Sequence, residues 1–374
     1  MNGYQPPLLK ALAVSFLFVS LLAGCSEQPR QASPPTVQEQ NPASIESHSS
    51  AEAAAQKKRT VVDMAGRTVE LAENINRIGT LGSVPMMNTF VESLGMGAKI
   101  YNQPSSFHNI YGRWKMHLEF APQLKDGPHF QSATHELLPE NIIAAAPDVC
   151  ITNSLSITDV LDKLGVPCVY VNWNGIENML RSVQLLGEVF HQEERAAKYV
   201  AYFRNTMEDL RQISVSIPDS QKLRVLYSNP MQFRCPGELT EIWLELAGAR
   251  SVTREASLAG RREYNLEDLL QWDPEVIFLT HHKTAEELRK NAHYRNIKAV
   301  QTDTIVLAPT VGHMWGGHTV EAPVAACWIM HKLYPEYMPE ETLIKKIKYF
   351  YSEFFSYDMS DAKIREIIAG GGGD

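Results

Sequence analysis

The chain has 374 residues, with 35 Lys and Arg against 43 Asp and Glu and a formal charge of −8. That balance, with no long basic block, argues against a nucleic-acid track. The length leaves room for one large or two medium domains with substantial cores. The five cysteines include no CxxC pair, which disfavours a zinc-ribbon or thiol-redox motif.

The N-terminus reads as an export signal. Lys10 supplies the positive start, and residues 11–23 form an apolar run of thirteen, too short to span a bilayer. The run ends in Leu22-Ala23-Gly24-Cys25, which matches the bacterial lipobox, where the cysteine is lipidated as the signal is removed. Residues 1–24 are therefore expected to be lost and Cys25 to carry lipid, holding the protein on a membrane without spanning it. Residues 25–59 follow as a tether. Pro29, Pro34, Pro35 and Pro42 stand among Ser, Gln, Glu and Ala, with no aromatic residue to seed a core. Folding is expected to begin near Thr60.

From there, short β-branched runs alternate with longer helical patterns. Strands are predicted over 77–81, 99–101, 149–152, 168–171, 224–228, 276–280 and 304–308. Strands spaced by helices imply βα units and largely parallel sheets covered on both faces. A proline-free helical pattern covers 177–213, with Ala196, Tyr199, Val200, Phe203, Met207 and Leu210 forming one apolar stripe. A break near Phe190-His191-Gln192 divides it in two. Because it falls between two groups of strands, two lobes are expected: residues 60–176 and 215–335, with bridging helices over 177–214. A helical extension and Gly-rich tail occupy 336–374. Cys150, Cys168, Cys235 and Cys327 sit among apolar residues, where a disulfide between Cys150 and Cys168 and buried free thiols are both open readings.

An internal echo supports the two lobes. Residues 138–149 and 265–276 each carry a glutamate (Glu140, Glu267), two aliphatics, and a proline seven positions after the glutamate that opens a Pro-acid-Val strand start. Each reads as a short helix feeding a parallel strand, with the glutamate in its first turn, where an acid suits the helix dipole.

These echoed segments resemble those of class III substrate-binding proteins, which bring iron-siderophores, haem or cobalamin to ABC importers. Val61-Val62-Asp63-Met64-Ala65-Gly66-Arg67-Thr68-Val69 is similar to that family's opening hairpin, and Arg77-Ile78-Gly79-Thr80-Leu81-Gly82 leading to Glu92-Ser93-Leu94-Gly95 to its first strand and helix. Leu186-Gly187-Glu188 with Glu194, Ala196 and Ala197 fits the start of the inter-lobe helix. Trp328 with Leu333-Tyr334-Pro335-Glu336 fits the C-terminal segment. The resemblance implies two Rossmann-like α/β lobes bridged by one long α-helix, with ligand held in the cleft between them. It further implies that Glu140 and Glu267 sit on the lobe tips and dock into the importer permease. The protein would be a monomer facing the periplasm or the cell exterior, with no cofactor of its own and no enzymatic activity.

The cleft should be lined by loops beyond the carboxyl ends of strands. In the first lobe these carry Tyr111, Arg113, Trp114 and His117. In the second they carry Arg234, Arg261, Arg262, His281, His282, Met314, Trp315 and His318. Arginines pair with carboxylate or catecholate oxygens and aromatic rings stack on planar groups, so the mixture suits an anionic ferric siderophore-type chelate. Haem or cobalamin fits the same importer class. A nickel or zinc ion would instead need three or four ligands converging, for which His281, His282, His318 and His313 are candidates. An exported metalloenzyme is disfavoured, because neither HExxH nor a nucleophile elbow is present. The bland readings are a solvated histidine at each loop position, a Trp114 packed as a lid on its own lobe, and surface charge at Arg261-Arg262.

Overall fold

A computed structural model describes residues 57–370, apart from Asn109, His318 and the side chain of Leu258. The expected signal, the expected lipidation site Cys25, nearly all of the expected tether and the last four residues of the Gly-rich tail lie outside the described residues.

An antiparallel hairpin opens the fold, β1 (Lys58–Val62) against β2 (Thr68–Ala72). Its turn is pinned by the buried Asp63. That carboxylate accepts the N–H groups of Ala65 and Arg67 at 2.9 and 3.0 Å, the Arg67 guanidinium at 2.9 Å and the Tyr170 N–H at 3.2 Å. Arg67 also donates to the main-chain oxygen of Cys168, so the hairpin is riveted to the edge of the first sheet.

That sheet is parallel, ordered β3 (Ile78–Leu81), β4 (Val149–Thr152), β5 (Cys168–Tyr170). Every residue of β3 and β4 is buried, as parallel strands covered on both faces require. Around it lie α1 (Val84–Ser93), α2 (Met116–Phe120), α3 (Pro139–Ala145), α4 (Leu155–Lys163) and α5 (Ile176–Phe190). The predicted strand at 99–101 is instead a 3-10 turn, Gly97–Lys99, followed by a single bridge from Ile100 to Ile78.

The chain then turns through His191, in the left-handed region at φ 55°, into α6 (Glu193–Ser216). At the corner Gly187 lies so close to α6 that a Cβ there would stand 2.6 Å from the Ala196 side chain. Helix α5 packs against α6 and α1. Helix α6, 24 residues and so about 36 Å long, runs on to the second lobe. Of the expected stripe it buries Ala196, Tyr199, Phe203 and Leu210, while Val200 and Met207 are only partly buried at its margin.

The second sheet is also parallel, ordered β7 (Arg250–Ser251), β6 (Arg224–Tyr227), β8 (Val276–Leu279), β9 (Ile305–Leu307). The two-residue β7 carries too little pattern to be read from sequence. The helices of this half are α7 (Glu238–Leu246), α8 (Arg254–Leu258), α9 (Leu266–Trp272), α10 (His282–Lys290), α11 (Lys298–Gln301) and α12 (Ala322–Leu333). The last two are α13 (Glu340–Phe355) and α14 (Asp361–Ile368).

The C-terminal extension is part of the body. Tyr351 of α13 stacks on Phe120 of the first lobe with ring centroids 5.8 Å apart. Tyr357 donates to Glu119 at 2.6 Å, and Arg195 of α6 donates to the Phe354 oxygen at 3.1 Å. One continuous apolar core runs from Val61 through both lobes to Ile368. All four cysteines among the described residues are free, although Cys150 and Cys168 are direct partners across β4 and β5. Burial pushes the Cys150 thiol well up and the Cys168 thiol to about 12, so both are protonated.

Candidate ligand cleft

A cleft of about 470 Å³ opens between the lobes at the carboxyl ends of their strands. From the first lobe it is lined by Ser83, Pro85 and Met86 after β3 and by Phe107, His108, Arg113 and Trp114 in the following loop. His281, after β8, and His313 and Met314, after β9, come from the second.

Arg113 crosses the cleft. Its Nε donates to Thr310 Oγ1 at 3.1 Å, its Nη2 to the Thr280 main-chain oxygen at 2.5 Å, and its Nη1 lies 3.1 Å from His281 Nε2. The guanidinium also sits 5.9 Å from the Trp114 ring centroid, within cation–π range. Trp114 in turn lies 5.5 Å from the His313 ring and 6.0 Å from that of His108. His108 is half-buried, and burial, with help from His135 and His117, lowers its pKa to about 4. It is therefore a neutral imidazole at pH 7, able to accept a hydrogen bond or ligate a metal.

Beneath the cleft lies a buried polar floor. Glu321, at the start of α12, accepts the N–H groups of Gly312 at 3.0 Å and His313 at 2.6 Å, the Thr319 hydroxyl at 3.3 Å, and the Tyr351 hydroxyl. These bonds staple the 310–319 loop. Its tip must be glycine, because a Cβ on Gly312 would stand 2.8 Å from the Thr89 side chain of α1. Burial pushes the Glu321 carboxyl up, opposed by Tyr351 and the two main-chain donors. Alongside, Glu92 of α1 pairs with His117 Nδ1 at 2.8 Å, both fully buried. Burial raises the Glu92 pKa. It works against the His117 cation, but Glu92, Glu321 and the Gly312 main chain outweigh it and leave His117 raised.

A second, smaller chamber of about 220 Å³ opens in the second lobe between β6 and β8. Tyr227, Phe278 and Trp315 form its apolar walls, and Asn229, Gln232, Arg234 and Thr280 its polar rim. Met314 lines both spaces.

Of the expected site residues, Arg113, Trp114, His281 and Met314 line the cleft. Arg234 and Trp315 belong to the second chamber, where Trp315 is fully buried against Trp328 and presents no open stacking face. His117 is a floor residue shut away from the cleft. Tyr111 is 70% exposed and lines neither space. Arg261 is paired with Asp268 at 2.5 Å, and Arg262 and His282 are exposed and likewise line neither. His318 lies outside the described residues. Among those residues no three His, Cys, Asp or Glu side chains are grouped to hold a metal ion, and no helix is long and apolar enough to cross a membrane. Phe107, Pro85, Met86 and Glu321 went unforeseen. Phe107 sits in the same aromatic-rich loop as Trp114, and Glu321 directly precedes the Ala-Pro start of α12, so weak signals existed for both.

Glu140 and Glu267 each occupy the first turn of their helices and are exposed. The capping box of α9 is made by Asn265 and Asp268, and α3 has no side-chain cap, so neither glutamate is the capping group.

A family model described as periplasmic binding protein matches residues 85–311. The molybdate-binding protein MolA of Haemophilus influenzae is 21% identical over 324 residues, covering 79% of this chain and 91% of its own. MolA's molybdate-bound structure matches with a TM-score of 0.67 at 19% identity, covering 81% and 99% of the two chains. A periplasmic solute binding protein from Veillonella parvula matches with a TM-score of 0.70 at 22% identity, covering 83% and 97%. An ABC transporter solute binding protein from Sulfurospirillum deleyianum matches with a TM-score of 0.65 at 23% identity, covering 83% and 98%. These structural likenesses carry the fold, two α/β lobes about a cleft. The match over 85–311 carries the family: the chain belongs to the periplasmic binding proteins, solute-binding partners of ABC transporters that work outside the cytoplasm.

Proposed function

We propose that the protein captures an anionic metal complex of the ferric siderophore type in the interlobe cleft and delivers it to an ABC importer, while lipid on Cys25 holds it at the membrane. The observation that carries the ligand class is Arg113, a guanidinium spanning the cleft beside Trp114 and the imidazoles of His108, His281 and His313. Arginine supplies paired donors to chelating oxygens, and the rings supply faces for a flat complex.

MolA, by its name, binds molybdate, and a bare oxyanion is the second reading. A cleft of about 470 Å³ is on the scale of a small organic ligand, which favours a complex over a lone tetrahedral anion. Glu140 and Glu267 are the proposed docking groups for the permease. Three residues after each stands an exposed aliphatic, Ile143 at 55% and Leu270 at 40%, so both lobe tips offer the same acid-plus-apolar pair.

Calorimetric titration of a ferric bis-catecholate and of molybdate into the wild type and Arg113→Ala tests the ligand class. The complex should bind the wild type more tightly than molybdate does. Loss of the guanidinium should weaken it ten- to hundred-fold, on the order of 1.5–3 kcal/mol for a charge-assisted contact. Tighter binding of molybdate would move the protein to the oxyanion class.

A further inference from the structure

The chamber between β6 and β8 occupies a particular place in the second sheet. From β6 the chain passes through α7 to β7 on one side, then returns to β8 on the other. The carboxyl ends of β6 and β8 therefore flank a topological switch point, where open α/β sheets leave a crevice for ligands. Its walls are built: Tyr227 and Phe278 stack with centroids 5.2 Å apart, and a Cβ on Gly316 would collide with the Tyr227 ring. Arg234 stands exposed at the rim, and among the described residues its guanidinium has neither a hydrogen bond nor an ion pair. The chamber is not isolated. Met314 lines it and the cleft alike, and Thr280 on its rim accepts from Arg113.

A cationic group without a described partner, beside an aromatic-walled space too small for a second whole ligand, points to part of a ligand. Resting on the reading of the cleft as a metal-complex site, we infer that the bound complex is bipartite. Its metal-chelating head lies in the cleft under Arg113, while a planar organic arm ending in a carboxylate passes Met314 into the second chamber and pairs with Arg234. The ligand class is then a metal complex of an organic chelator with a free acidic arm, as opposed to a bare oxyanion or metal ion.

The test uses two ferric bis-catechol complexes that differ only in a terminal carboxylate or carboxamide, titrated beside molybdate alone into the full chain. The wild type should prefer the carboxylate complex by at least about tenfold, as expected for a charge-assisted pair. Arg234→Ala should erase that preference and leave the carboxamide complex unchanged. Gln232→Trp, which crowds the chamber from an exposed position, should weaken both complexes. Equal binding of the two complexes by the wild type, or no effect of either substitution while Arg113→Ala still weakens binding ten- to hundred-fold, overturns the second chamber and leaves the cleft reading intact. Binding of molybdate alone, or indifference of the complexes to Arg113→Ala, overturns the reading on which the chamber rests.

Discussion

Arg113 of the first lobe and Thr310 of the second are joined across the cleft by a 3.1 Å hydrogen bond from the guanidinium to the hydroxyl. The bond links the lobes through the same side chain that is proposed to meet the ligand, so on that proposal capture and lobe contact draw on one group. Thr310 also begins the loop that Glu321 staples from below. The position of the arginine thus depends on a buried carboxylate on the far side of the loop.

That dependence is measurable through stability. Tyr351→Phe deletes one donor to a fully buried carboxylate and should cost about 1.5–3 kcal/mol. Glu321→Gln should cost more, because an amide oxygen can serve only some of the four donors and its NH2 faces the rest. Urea titration should show lower midpoints with an unchanged m-value. A loss within error for Glu321→Gln would mean that the loop holds itself without the carboxylate.

His108 gives the acid limb of stability a readable component. Its folded pKa is lowered to about 4 from an ordinary 6.5, so between these values the unfolded chain binds a proton that the native site refuses. Stability from the neutral imidazole is complete above about pH 6.5 and declines as pH falls toward about 4. The raised His117 has the opposite sign: its contribution is complete below about 6.5 and is lost as pH rises through its folded pKa. The advantage in melting temperature of wild type over His108→Gln should therefore shrink as pH falls from 6.5 to 4. A difference that stays flat over that range would remove His108 from the buried, neutral class.

Docking and ligand binding should separate. Glu140 and Glu267 are exposed and take no part in capping, and surface charges of this kind steer association while adding little to monomer stability. Replacing both by alanine should abolish uptake in cells, with ligand affinity and melting temperature nearly unchanged. Adding Ile143→Ser and Leu270→Ser to the conservative Glu140→Asp/Glu267→Asp pair should weaken uptake further. A matching fall in ligand affinity for the double alanine variant would contradict the layout.

The anchor is tested at Cys25. Cys25→Ser should block processing or release the folded body from membranes. A processed species that still sediments with membranes would rule the lipid assignment out.

The fold was legible in the sequence wherever burial and period coincide. The strand over Val149–Thr152 and the helix stripe of Ala196, Tyr199, Phe203 and Leu210 follow their patterns because both surfaces are committed to the core. Patterns failed where one or two residues suffice to pair, as at Ile100 and at Arg250–Ser251. Loop residues were read less well, because sequence places a residue after a strand without saying which way its side chain turns. Arg113 and Trp114 turn into the cleft, Tyr111 two residues earlier stays exposed, and His117 three residues later is drawn under the floor by Glu92. The floor was hidden for a related reason: Glu92, Glu321 and Tyr351 meet only because α1, α12 and α13 converge, and no local pattern marks that meeting.

The most direct test of the account is native mass spectrometry, with metal analysis, of protein gently isolated from the envelope of its own host. One ligand per chain is expected, with a mass above that of any metal ion or simple oxyanion, and with metal and organic chelator released together on denaturation. A chain that carries only molybdate, or a lone metal ion, would contradict that expectation.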